Sequence, residues 1–187
     1  MKFWLSVIFT LCYLPSSVCG QESFNKMLRL ARQGKAWAQN EVGIAYSIGE
    51  GVKPNHNKAA YWLKLSAAQG NALGSCSYAN ILGYGWGVPQ NKTLMMKWAF
   101  IGQLIDGLSC DTGAVLHIFK PRKCEIDNGW ALAITWMREH PEFDDEFGER
   151  PWFKDKTDYQ LVRCKPVSAR PKKQMTRQKH RVKRVTK

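Results

Sequence analysis

A spacing of thirty-six residues governs what this chain can fold into. Gly49, Gly51, Val52 and Asn55 of "GEGVKPN" return as Gly85, Gly87, Val88 and Asn91 of "GWGVPQN". Outside that stretch, Gly34 returns as Gly70, Ala36 as Ala72 and Trp62 as Trp98 at the same interval. A fixed period in this range marks a repeat architecture, in which one supersecondary unit buries its apolar face only against its neighbours.

The unit reads as two helices around a glycine loop. Ala38, Val42, Ala45 and Ile48 recur at helical spacing, as do Ala59, Trp62, Leu63, Ser66 and Ala67. Either Gly49 or Gly51 suits the left-handed residue that ends a helix without a Cβ clash. Pro54 cannot continue that helix, and Asn55 or Asn57 suits the cap of the next. The loop therefore stops one helix, reverses the chain and starts an antiparallel partner. "NALGSCSYANILGYG" and "NKTLMMKWAFIGQLI" repeat the pattern. A degenerate third unit follows: "LSCDTGAVLHIF" is its first helix, "KPRKCEIDNG" replaces the loop, and "WALAITWMREH" is its second helix. Ahead of the first unit, Ala31 to Gly34 parallels Ala67 to Gly70, so a half-unit opens the array. Trp62, Trp98 and Trp136 follow the period and are expected in the core, whereas Trp37 and Trp86 stand outside that register and suit a partner contact or burial.

The ends differ from the middle. "MKFWLSVIFTLCYLPSSVCG" has a lysine, an apolar run broken by Pro15, and small residues up to Gly20. This is the pattern of an export leader too short to span a membrane, with Gln21 as the expected mature start. Of the 28 basic residues, eleven lie in 163–187 with no acid among them; the other seventeen face all 15 acidic residues. The formal charge of +13 is thus a property of a tail that cannot fold alone. The expected organisation is a leader (1–20), a repeat array (21–140, with units at about 34–69, 70–106 and 107–140 behind a half-unit 21–33), an acidic and aromatic segment (141–162) and a disordered basic tail (163–187).

Four cysteines remain after the leader: Cys76, Cys110, Cys124 and Cys164. In an exported chain they point to disulfides, with three connectivities open. Cys110–Cys124 is the preferred bridge, joining the start of one helix to the loop after it. His117 lies midway between those two cysteines, but the scattered histidines lack the paired spacing of a zinc site, so no metal and no cofactor are expected. Ser23 and Lys26 form an S-x-x-K pair without the S-D-N and K-T-G partners of penicillin-handling enzymes; Ser23 reads as a helix cap. "PEFDDEFGER" does not fit a calcium loop and reads as a solvated linker. Asn91-Lys-Thr93 fits a glycosylation sequon but sits at a helix start, where capping explains it.

"AQNEVGIAYSIGEGV" followed by "NHNKAAYWLKLSAAQG" resembles the Sel-one-like repeat (SLR) family, relatives of tetratricopeptide repeats. The likeness covers about residues 22–140 and fades in the third unit. Asn55 and Asn91 stand where the family usually has aspartate, and the cysteines lack the regular spacing of the family's cysteine-rich branch, so that branch's disulfides do not carry over. The resemblance implies an all-α chain, a short right-handed α-solenoid of antiparallel hairpins, acting as a non-enzymatic protein-interaction scaffold in the periplasm or outside a bacterial cell. The partner is expected on the concave surface lined by the first helices, at Trp37, Asn40, Glu41, Ile44, Leu73, Ser77 and Asn80. Two alternatives stand beside it: weak hydrolase or penicillin-binding activity, and attraction of residues 163–187 to an anionic surface. The tail has no aromatic residue for base stacking, and no specific nucleic acid is expected.

Overall fold

A computed structural model describes residues 16–143 and 161–164. The expected leader before Ser16, residues 144–160 of the acidic and aromatic segment, Trp152 within it, and the basic tail from Lys165 lie outside the described residues. Among the described residues seven α-helices follow one another: α1 (Ser16–Arg32), α2 (Ala36–Ile48), α3 (His56–Ala68), α4 (Ala72–Tyr84), α5 (Lys92–Asp106), α6 (Thr112–Phe119) and α7 (Lys123–Glu139). A single 3₁₀ turn, Pro141–Phe143, succeeds them, and no strand occurs among the described residues. The fold is an all-α repeat solenoid. Helices pack as hairpins (α2 with α3, α4 with α5) and hairpin on hairpin (α3 with α4, α5 with α7), with α1 against α2.

The loops explain the glycines. Gly49 (φ 84°) and Gly85 (φ 75°) both take the left-handed conformation and close α2 and α4, donating to the carbonyls of Ala45 and Ile81. Asn55 then returns its N–H to Tyr46 O at 2.8 Å, and Asn91 returns its own to Leu82 O at 3.0 Å. Each asparagine side chain caps the next helix: Asn55 Oδ1 accepts from Lys58 N–H and Asn91 Oδ1 from Leu94 N–H, both at 3.0 Å. The second glycine of each loop also has positive φ, and its missing Cβ makes room for backbone. Gly51 lies on Gly20 of α1, and Gly87 lies on His56 at the start of α3. His56 is itself thirty-six residues after Gly20, so the stacking contact repeats with the same period as the sequence.

Between the hairpins the core is small and dense. Ala38, Val42, Ala59, Ala67, Ala79, Ala99 and Ala133 are fully buried, with Leu63, Met95, Met96, Ile101, Ile134 and Met137 filling the larger spaces. A Cβ on Gly43 would strike Leu63, and one on Gly129 would strike Met96, so these glycines set the approach of α2 to α3 and of α7 to α5. Trp98 and Trp136 are buried and meet edge to face at 6.0 Å; Trp62 is half-buried. A polar rung links the end of α3 to the first turns of α2 and the end of α1. Gln69 Nε2 donates to Gln39 Oε1 (2.6 Å), Gln39 Nε2 to Ala31 O (3.2 Å), and Ser66 Oγ to Ala36 O (2.8 Å). Ile48 departs from expectation: it is exposed, because the buried stripe of α2 runs Ala38, Val42, Tyr46.

The third hairpin is the irregular one. Asp111 caps α6, which lasts eight residues and ends at Lys120 in the left-handed region (φ 44°). The following helix starts at Lys123, well before Trp130, because Glu125 accepts hydrogen bonds from the Arg122 backbone N–H (2.7 Å) and guanidinium (2.9 Å) and fixes a first turn there. Cys124 is therefore helical, not part of a loop, and the expected Cys110–Cys124 bridge does not form. Cys110, buried ahead of α6 beside Gly102, pairs instead with Cys76 of α4 (Cα–Cα 5.3 Å). Cys124 pairs with Cys164 (Cα–Cα 5.6 Å). One bridge ties the second unit to the third; the other ties the C-terminal segment to α7. Ser23 is not a helix start either, since α1 already runs from Ser16 and passes through the expected Gly20–Gln21 junction.

Candidate interaction face

A 3.6-residue helix brings positions i, i+4, i+7 and i+11 onto one side. On α2 these are Trp37, Glu41, Ile44 and Ile48; on α4, thirty-six residues later, they are Leu73, Ser77, Asn80 and Tyr84. Their opposite sides carry the buried Ala38, Val42, Ala79 and Leu82. Trp37 (50% exposed), Ile48 (66%), Leu73 (54%) and Tyr84 (48%) hold large apolar surfaces in solvent at the two ends of each row. Glu41 and Asn80 are exposed between them, and Ile44 and Ser77 are half-buried. Glu41 is the one charged residue in either helix, whereas the second helices α3, α5 and α7 all carry lysine. A surface with aromatic and aliphatic groups and few charges has the make-up of an interface centre.

Six of the seven residues named from the sequence fall on this face. Asn40 does not. It is 3% exposed; its Nδ2 donates to Glu41 Oε1 at 3.3 Å, and its buried Oδ1 has no hydrogen-bond partner. At the equivalent place in the next unit stands Cys76, half-buried and bonded to Cys110. Conversely, Ile48 and Tyr84 belong to the face and were not selected; their spacing from Ile44 and Asn80 is the signal that finds them.

Past α4 the face continues into an aromatic stack. Tyr84 lies flat on Trp86 (4.6 Å, 15°), His56 lies on Trp86 (5.2 Å, 23°), and Phe119 meets Tyr84 edge-on (4.7 Å). Rings from three successive units thus touch at the loop edge, with Trp86 43% exposed. Such pairs add about 0.5–1.5 kcal/mol each beyond their burial and hold the exposed rings in fixed orientations.

Ser23 and Lys26 are exposed on α1, and Ser23 lines a hollow of about 100 Å³ with Phe24, Met27, Glu41, Ala45 and Glu50. His117 is exposed on α6, and the cysteines on either side of it are bonded elsewhere. Lys97, half-buried over the Trp98 ring at 4.8 Å, has its pKa lowered by burial, against the attraction of Glu139. Among the described residues no three His, Cys, Asp or Glu side chains stand close enough to hold a metal ion, and no helix is long and apolar enough to cross a membrane.

The Sel1 repeat model matches residues 38–71 and 72–99, the stretch that contains α3, α4 and most of the face. Among solved structures, the chain is similar to c5321, described as a protective antigen present in uropathogenic Escherichia coli strains displaying an SLR fold. The match has 22% identity and a TM-score of 0.60, and covers 66% of this chain and 27% of that one. No curated protein matches the chain.

Proposed function

From a chain that carries two Sel1 repeats in an SLR fold, we propose an exported, non-enzymatic scaffold that binds a protein partner on the α2–α4 face. The observation that carries this reading is the pair of equivalent rows, Trp37–Glu41–Ile44–Ile48 and Leu73–Ser77–Asn80–Tyr84, which keep apolar ends exposed in two successive units. Repeat-defining positions are spent on packing; these are free to be matched to a partner. Export, to the periplasm or beyond the cell, is supported by the leader-like start and by two disulfides, which persist in oxidising compartments. The similarity to an antigen of uropathogenic Escherichia coli is compatible with that placement.

The test is affinity capture from bacterial envelope extract and from host-cell lysate, with the wild type and a Trp37→Arg/Asn80→Arg variant as baits. A discrete protein held by the wild type and lost by the variant, at unchanged helicity, supports the face. Equal capture by both baits removes it.

A further inference from the structure

At the other end of the array, on residues the α2–α4 face does not use, a short segment is tied to α7. Asn128 of α7 is 9% exposed, and its amide pairs with both backbone groups of one residue: Nδ2 donates to Val162 O and Oδ1 accepts from Val162 N–H, both at 2.7 Å. One turn earlier on the same side of α7, Cys124 bonds Cys164. Residues 161–164 are therefore latched to the solenoid by backbone hydrogen bonds and a covalent bond, with little help from apolar burial. Leu161 stays 60% exposed and Val162 54% exposed. Arg163 is exposed beside them, and ten further Lys or Arg with no acid follow in 165–187.

We propose that this latched segment is the root of a membrane-surface contact, in which Leu161 and Val162 enter the headgroup boundary of an anionic bilayer and the following cations pair with its lipids. Binding to a bilayer surface strengthens with the apolar area buried in the headgroup boundary and with electrostatic attraction to anionic lipids. The chemistry selects lipid over other anions. A nucleic acid or a sulfated glycan offers charge but no apolar layer for Leu161 and Val162, and the tail lacks rings to stack on bases. The latch holds residues 161–164 against α7, and the basic run follows them directly in the sequence, so the apolar pair and the start of the run reach a surface together.

Co-sedimentation of the full chain with vesicles of phosphatidylcholine containing phosphatidylglycerol tests this, with pure phosphatidylcholine vesicles and immobilised heparin in parallel. The wild type should bind the anionic vesicles and not the neutral ones, and a chain ending at Cys164 should bind neither. A Leu161→Ser/Val162→Ser variant keeps every cation; its vesicle affinity should fall about tenfold while its heparin retention is unchanged. Wild-type vesicle affinity in that variant, or retention on heparin without binding to anionic vesicles, overturns the proposal. Far-ultraviolet circular dichroism confirms the fold of each variant, since both serines sit on exposed positions.

Discussion

Gly87 rests its bare Cα on the backbone of His56, at φ 68°. An alanine there meets two penalties at once: a left-handed backbone and a Cβ inside the neighbouring helix start. Gly87→Ala should lower stability by about 2–3 kcal/mol, read as a fall in the thermal midpoint. Gly107 also has positive φ (69°) but nothing within 4 Å of the added carbon, so Gly107→Ala should cost only about 1 kcal/mol. Equal losses in the two variants would show that the loop-to-helix contact does not stack the units.

Asn40 separates the core from the face. Its buried Oδ1 has no partner, so Asn40→Leu removes an unpaired polar atom at similar volume and should be neutral or stabilising by up to about 1 kcal/mol. Asn40→Arg buries an unpaired charge and should cost more than about 3 kcal/mol. Trp37→Arg, on the exposed side of the same helix, should change stability by less than about 0.5 kcal/mol. Urea titrations of the three variants check the order.

The Cys76–Cys110 bridge closes a loop with a sequence separation of 34. In the chain-entropy account, its removal by Cys76→Ala/Cys110→Ala should cost about 3–4 kcal/mol, seen as a lower denaturant midpoint. Cys124→Ala/Cys164→Ala should leave the core midpoint less affected. It should instead speed tryptic cleavage after Arg163, since the covalent tie to α7 is then gone.

Glu125 supplies a pH dependence. Burial pushes its carboxyl upward, but hydrogen bonds from the Arg122 guanidinium and backbone N–H, with the charges of Arg122 and Lys92, outweigh it and hold the pKa below the usual value. A lowered carboxylate pKa contributes stability above the unfolded value and loses it as the pH falls through the folded one. The wild type should therefore be more stable than Glu125→Gln at pH 7, and the difference should shrink below about pH 4. Thermal melts across that range decide it; a gap that stays constant in acid would mean that Glu125 acts only as a neutral cap.

What could be read from the sequence was whatever a single residue's own chemistry dictates. A glycine of each loop had to be left-handed and an asparagine had to cap the next helix, because each constraint is local and returns after thirty-six residues; the structure makes Asn55 the cap rather than Asn57, and both Gly49 and Gly51 left-handed. The Cys110 partner was not readable, since it turns on where α7 begins, and Glu125 sets that by a contact with Arg122 that has no counterpart in the other units. Asn40 was misplaced for a related reason. Asn40 and Glu41 are adjacent polar residues, and only the packing of α2 against its neighbours decides which of them points to solvent. Ile48 was placed on the inward stripe by its spacing from Ala45, yet the buried stripe runs through Tyr46 and leaves Ile48 on the outer side with Ile44.

The brevity of α6 puts a limit on how large a bound object can be gripped. Two full rows are on offer, each eleven residues from first to last contact, which is about 16 Å along the helix axis. The rows lie about 8–10 Å apart, as packed helices do. A third row would have to come from α6, which ends after eight residues at Lys120. The platform is thus some three helical turns long and two helices wide, the size of one short helix or a few extended residues. A partner held there is recognised by a single linear element, and a synthetic peptide of about a dozen residues should compete for the whole of that site.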